Sequence, residues 1–411
     1  MIMLILLIYP ALLLTVRSSM GVLFGLMLLI SVYSLYKTRK SDFVMHWDKF
    51  SIAFSLAMAS PVLAIFLSQA YHGRFEAPYY DWASRFLLAI PIFLMLRQTS
   101  MRIINALQLG IPFGVLVGLI MLLVHPYDWG GHGNTTSVFF NRIHFSDTAV
   151  ILGFLSLFSI GWGKKDFPFI LLLKFGALFA GIYMSIQSGE RGGWVAIPVL
   201  LLLWVALQAK KKLWLKLSVA LLLVIGLFIY GYYNFSIMQN RIDLIFSDIR
   251  HFGEGNKNTS LGVRLQLYLA AIHLFIENPF FGVGPGGFAK TVSTLAMSDL
   301  LTPVGVNAAQ SEVHNEILAK CAETGVFGLI SILSVYMVPF YIFWSKIKSK
   351  VSASRVAAAM GLCLLLGFFI FGLSVEIFDL KMTATFFAFT LSILLAAATN
   401  KSANQDRPNS F

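Results

Sequence analysis

The stretch SEVHNEILAKCAETG, residues 311–325, closes an interval from 234 to 325 that holds no apolar run long enough to cross a membrane. No other connection in the chain approaches that length, and long ordered loops between spans are where function concentrates. Within it Ser311 reads as an N-cap, which puts His314 at the third helical position. Ile317, Leu318 and Cys321 then share an apolar face, and Gly325 supplies the stop. The field at a helix start disfavours an imidazolium, so a histidine there is suited to accept a proton as a general base. The plainer reading is a loop histidine that only hydrogen-bonds. Asn315 and Glu323 are near enough in sequence to support it, although both also fit as solvated helix residues.

Outward from this segment the chain is apolar. Its 411 residues are 58% hydrophobic and 12% charged, with a mean hydropathy of +0.78. Soluble domains carry roughly twice that charged fraction, so the composition describes a polytopic membrane protein in contact with a lipid bilayer. Apolar runs fall at 2–16, 19–36, 50–71, 83–96, 103–124, 144–161, 167–188, 193–209, 213–233, 326–344, 355–375 and 380–398. The expected fold is all-α: a bundle of about twelve transmembrane helices with one large, partly helical loop. The first run lacks a basic leader and a small-residue cleavage site and is read as a span. Cys321 and Cys363 suggest neither a disulfide nor a metal site.

A net charge of +12 in a soluble protein would point to nucleic acid; here the cations sit mostly in short connections and report topology instead. One alternate set, with the tail, carries eighteen: Lys37, Arg39, Lys40, Lys49, Arg97, Arg102, Lys164, Lys165, Lys210, Lys211, Lys212, Lys216, Lys346, Lys348, Lys350, Arg355, Lys401 and Arg407. The other carries six: Arg17, Arg74, Arg85, Arg142, Arg191 and Lys381. The positive-inside rule puts both termini in the cytoplasm and the large loop outside. The chain divides into nine spans over 1–233, a catalytic loop over 234–325, three spans over 326–399 and a polar cytoplasmic tail over 400–411.

Three further groups could carry chemistry. Arg191 lies in SGERGGW, where Gly189, Gly192 and Gly193 leave the backbone open to a bulky anion. An interfacial arginine that snorkels or pairs with Glu190 is an equal reading. Arg264 stands one turn into a helix opened by Ser260, off the apolar stripe of Leu261, Leu265, Tyr268, Ile272 and Phe275; it faces headgroups or a substrate phosphate. Asp379 and Lys381 suit an interfacial ion pair or the lining of the same cavity. The run GVGPGG, 282–287, follows Asn278-Pro279 rather than a strand and reads as a turn, not a nucleotide loop. No His, Cys, Asp or Glu cluster has metal spacing, so arginines would have to do for a pyrophosphate what Mg²⁺ does elsewhere.

Taken together, the order Arg264, ENPFFGVGPGGF and HNEILAKCAETGVFG, with SGERGGW upstream, resembles the O-antigen ligase family within the O-antigen ligase/polymerase superfamily. The span pattern extends the resemblance over nearly the whole chain. It implies a metal-independent, cofactor-free glycosyltransferase of the GT-C type in the bacterial inner membrane. Such an enzyme moves O-antigen polysaccharide from undecaprenyl pyrophosphate to lipid A–core oligosaccharide at the periplasmic face. The same resemblance makes His314 the base and puts Arg191 and Arg264 at the lipid pyrophosphate. Attack on the side opposite the leaving group implies inversion.

Two relatives are alternatives: an O-antigen polymerase, which shares the donor chemistry, or another lipid-linked oligosaccharide transferase such as a protein-directed O-oligosaccharyltransferase, whose chains usually carry a larger extra-membrane domain. A lipid-linked sugar flippase is the alternative from another class. A transporter should place ionisable groups at mid-membrane and often shows repeats, whereas here Lys174 is the main charge within a span.

Overall fold

The computed structural model describes residues 1–39, 47–128, 135–138, 140–162, 165–208, 213–297 and 300–400. Lys40, Lys164, Lys210, Lys211, Lys212 and the tail from Lys401 onward lie outside these. The helices in chain order are α1 (Ile2–Thr15), α2 (Ser19–Arg39), α3 (Lys49–His72), α4 (Tyr80–Leu96), α5 (Met101–Ile104) and α6 (Leu107–Val124). Next come α7 (Arg142–Phe158), α8 (Pro168–Ser188), α9 (Gly192–Gln208), α10 (Leu213–Asn234), α11 (Ser236–Gly253) and α12 (Ser260–Glu277). The last are α13 (Gly287–Met297), α14 (Pro303–Ala309), α15 (Glu316–Lys346), α16 (Ser352–Gly372) and α17 (Lys381–Ala398). Two-residue strands, Tyr127–Asp128 and Thr135–Thr136, pair antiparallel between α6 and α7. The protein is an all-α, multi-pass membrane protein.

Every expected apolar run falls on a helix. Among the described residues, eight segments are long and apolar enough to cross a membrane: 19–37, 49–72, 101–124, 168–188, 213–234, 316–346, 352–372 and 381–398. The other four runs form α1, α4, α7 and α9, of 14 or 17 residues. At 1.5 Å per residue those fall short of the roughly 30 Å hydrocarbon layer.

α17 forms the centre, with every residue from Thr383 to Ala398 buried. It packs on α4 and α16, and α7, buried from His144 to Phe158, packs on α8, α9 and α16. α10 is the opposite case. It presents Trp214, Leu222, Leu223, Leu227 and Tyr233 outward, as a helix in contact with hydrocarbon does.

The expected apolar stripe of α12 is not the face it buries. Leu267, Ala270, Ala271 and Leu274 pack into a separate core with Phe288 and Val292 of α13 and Ala319 and Ala322 of α15, while Leu261 and Ile272 stay exposed. The buried face combines two leucines with Ala270 and Ala271, whose small side chains let the neighbouring helices approach closely.

Two charges at the end of the bundle away from residues 311–325, Arg97 and Lys174, are paired structurally. Arg97 clamps Asp48 at 2.7 and 2.5 Å, which holds that carboxyl well below its usual range. Lys174 Nζ reaches Asp166 at 3.0 Å and the Ser159 carbonyl at 2.8 Å, so this charge belongs to a turn of the bundle.

Candidate functional site

The site is built around a break in α15. Gly325 sits at φ 65°, ψ −148°, which splits the helix into a short first piece and the long apolar one. The turn after α12 clasps this break through its backbone. Val283 N donates to Ala322 O at 2.9 Å, Gly284 N to Glu323 O at 3.0 Å, and Val326 N to Pro279 O at 2.7 Å. Gly282 and Gly325 both have positive φ, and a Cβ on either would overlap the facing main chain. The GVGPGG run is thus a turn, as expected, and its glycines serve a backbone-to-backbone contact. Glu323 is bound up in it: Oε1 accepts from Gly286 N at 2.8 Å. Its side chain is therefore committed to the turn.

His314 is not inside a helix, as the Ser311 cap would have required. Asn315 is the actual N-cap; its Oδ1 accepts from Leu318 N at 3.0 Å, and α15 starts at Glu316. His314 stands just before it at φ 61°, in the left-handed region that non-glycine residues seldom occupy. Tertiary contacts hold it there. Tyr268 Oη donates to the His314 carbonyl at 3.0 Å and also lies 2.8 Å from Leu373 O, and Asn315 Nδ2 is 3.4 Å from Leu373 O.

The partner of His314 is Glu312, which sequence reading did not single out. Nδ1 lies 2.8 Å from Glu312 Oε1, with both side chains about one-fifth exposed. The two are at contact distance but not in line, since Nδ1 has no aligned hydrogen-bond partner among the described residues. Glu312 Oε2 accepts from Glu376 N at 3.0 Å, and Glu376 Oε1 accepts in return from Val313 N at 2.6 Å. Burial pushes the Glu312 carboxyl up, but the adjacent His314 ring, the Glu376 amide and His144 together outweigh it and leave the group below its ordinary value. Burial raises Glu376 to about 8 against the pull of Lys320. Glu316 accepts from Phe378 N at 3.0 Å and meets Lys320 Nζ at 3.3 Å. The approach to α15 is thereby stitched to the turn between α16 and α17.

Arg191 lies in the turn between α8 and α9, with Nη2 3.9 Å from Asp248 and Nη1 3.4 Å from the Arg241 carbonyl. Glu190 pairs with Arg142 instead, at 3.3 Å. Burial lowers the Arg191 pKa; Asp248 opposes this, while the nearby positive charges of Arg241 and Arg264 add to it. The fold therefore brings Arg191 and Arg264 together and adds Arg241 from α11. Arg264 also acts electrostatically on Tyr268, the residue that holds His314. The neighbouring glycines have another explanation than ligand approach. A Cβ at Gly193 would come within 2.9 Å of Ser146 Oγ and 3.1 Å of Asp147 Oδ1, so they seat α9 against α7.

Next to these groups, α7 buries His144, whose ring nitrogens have no partner among the described residues and which feels the charges of Glu312 and Asp379. Asp379 and Lys381 do not pair with each other as expected; Lys381 meets Asp81. Both line a cavity of about 600 Å³, as do Glu312, Glu323 and Glu376.

The sequence is similar to known proteins over the region that carries these residues. A family described as O-antigen ligase matches residues 176–333. The chain is 26% identical over 200 residues to the O-antigen ligase of Escherichia coli (strain K12), a match covering 48% of this chain and 47% of that protein. It is 25% identical over 291 residues to an uncharacterized protein of Haemophilus influenzae (strain ATCC 51907 / DSM 11121 / KW20 / Rd), covering 69% and 70%. The match therefore spans about half the length of the named ligase. Arg191, Arg241, Arg264, Glu312 and His314 all lie inside the matched region, residues 176–333, over which the chain is similar to the O-antigen ligase family.

Proposed function

We propose that this protein is an O-antigen ligase of the bacterial inner membrane. It transfers a polysaccharide from undecaprenyl pyrophosphate to lipid A–core at the periplasmic face, with inversion and without metal. The observation that carries the reading is the approach of Arg191, Arg241 and Arg264 to one another beside Tyr268, which holds His314. Negative charge grows on the pyrophosphate as the bond to the anomeric carbon breaks. Guanidinium groups in a partly buried site stabilise that charge by planar, multidentate hydrogen bonds. With Nδ1 turned to Glu312, His314 keeps Nε2 for the acceptor hydroxyl. It takes that proton as the oxygen attacks, and Glu312 stabilises the imidazolium that results. Asn315 supports the base by capping α15.

The test is the lipopolysaccharide banding pattern of cells lacking the protein. A ligase predicts loss of polymer from lipid A–core with polymer retained on the lipid carrier. Accumulated single repeat units would identify a polymerase instead. Purified enzyme is expected to keep its transfer activity in EDTA; loss restored by Mg²⁺ or Mn²⁺ would remove the arginine clamp from the account.

A further inference from the structure

The cavity of about 600 Å³ contains none of the three arginines. Its walls come from α3, the segment leading into α4 with the first residues of that helix, the start of α13, α15 on both sides of its break, and the turn before α17 with Lys381. Ser311, Glu312 and Val313 form one further wall, and the chain passes from them directly to His314. The His314 carbonyl is in turn held from α12, the helix that carries Arg264. Residues 311–314 thus stand between two environments, one rich in guanidinium groups and one not. Glu312 belongs to both, because its carboxylate lines the cavity and touches the His314 ring.

We propose that this cavity receives the acceptor, as a site for a short run of sugar rings bound through their hydroxyls. The inference rests on the transferase reading above and adds where the second substrate sits. Displacement at an anomeric carbon brings the nucleophile in on the side away from the leaving pyrophosphate. With the arginines on one side of residues 311–314, the acceptor enters from the other. The lining chemistry agrees. Carboxylates (Asp81, Glu323, Asp379) alternate with ammonium groups (Lys290, Lys381) beside the Trp82 ring. Sugar hydroxyls both donate and accept, so a lining of mixed sign suits them, whereas a pyrophosphate calls for cations alone and a lipid tail for neither. The volume lies within the roughly 300–1,000 Å³ of small-molecule sites, enough for the end of an oligosaccharide but not for a polymer.

The test fills the space. Ala289 lines the cavity on α13, and Ala289→Trp puts an indole into it; Lys290→Trp at the exposed rim is a second variant should the first not fold. Val304→Trp, on the exposed face of α14 and outside the cavity, is the control. Two readouts are taken in detergent: titration with free core oligosaccharide cleaved from lipid A, and transfer from lipid-linked donor to lipid A–core. The proposal predicts that either filled variant binds the free oligosaccharide at least tenfold more weakly and raises the acceptor KM at least tenfold. Affinity for undecaprenyl pyrophosphate should be unchanged, and Val304→Trp should match wild type. Unchanged acceptor binding in a folded, filled variant would overturn it, as would loss of affinity for the lipid pyrophosphate in its place. Oligosaccharide binding that the filled variants abolish, in a wild type that transfers nothing to lipid A–core, would keep the cavity assignment and remove the ligase reading.

Discussion

His314 holds a left-handed backbone that costs an ordinary residue about 1 kcal/mol or more, and three neighbours keep it there. Nothing local in SEVHN specifies this: a serine three residues upstream looks like a cap, but Asn315 captures the Leu318 amide first. Glu312 and Arg241 were equally invisible, because their roles come from contacts made between separate parts of the fold. Two predictions belong at this scale. Arg191→Lys and Arg264→Lys keep the charge but lose the planar fork, so transfer should fall by tenfold or more while the protein stays folded; a rate near wild type for both would separate the arginines from the leaving group. Glu312→Gln keeps the shape but removes the charge beside the ring that takes the proton, so the transfer rate should fall while the protein stays folded and donor binding is unchanged; a rate near wild type would leave Glu312 a purely structural role.

At the scale of elements, the spans were readable because an apolar run is a local signal that survives without knowledge of its neighbours. α12 was not, since leucines lie on both its faces and its buried face is marked off only by Ala270 and Ala271, while Leu261 and Ile272 stay exposed. The clasp between the 279–284 turn and the break at Gly325 was only half legible: its glycines announced a turn, not what the turn meets. The turn between α16 and α17 should titrate. Glu376 has its pKa raised to about 8, above its value in an unfolded chain near 4.5, so the folded state binds the extra proton. Its stabilising proton is fully in place below the unfolded value and is lost as pH rises through about 8. Thermal stability in detergent should therefore decline between about pH 5 and pH 8, and Glu376→Gln should flatten that decline. An identical slope in the variant would assign the pH dependence to another group.

For the whole molecule, the loop cations predict a topology that orients the site. A reporter inserted within residues 253–258 should read periplasmic and one fused after Asn400 cytoplasmic; the same side for both would mean an odd error in the spans and a site on the wrong face. Arg191, Arg264 and His314 come from the turn before α9, from α12 and from the approach to α15, and all three lie within residues 176–333. The central claim is that His314 is the base of a transfer whose leaving group the arginines hold. The most direct test is single-turnover transfer from lipid-linked donor to lipid A–core across pH, with donor binding followed separately. Wild type is compared with His314→Ala and with His314→Asn, which tolerates the left-handed backbone. Both variants should bind donor normally, transfer roughly 10²–10⁴-fold more slowly, and lose the acid limb of wild type. Transfer at near wild-type rate, or a defect confined to donor binding, would contradict it.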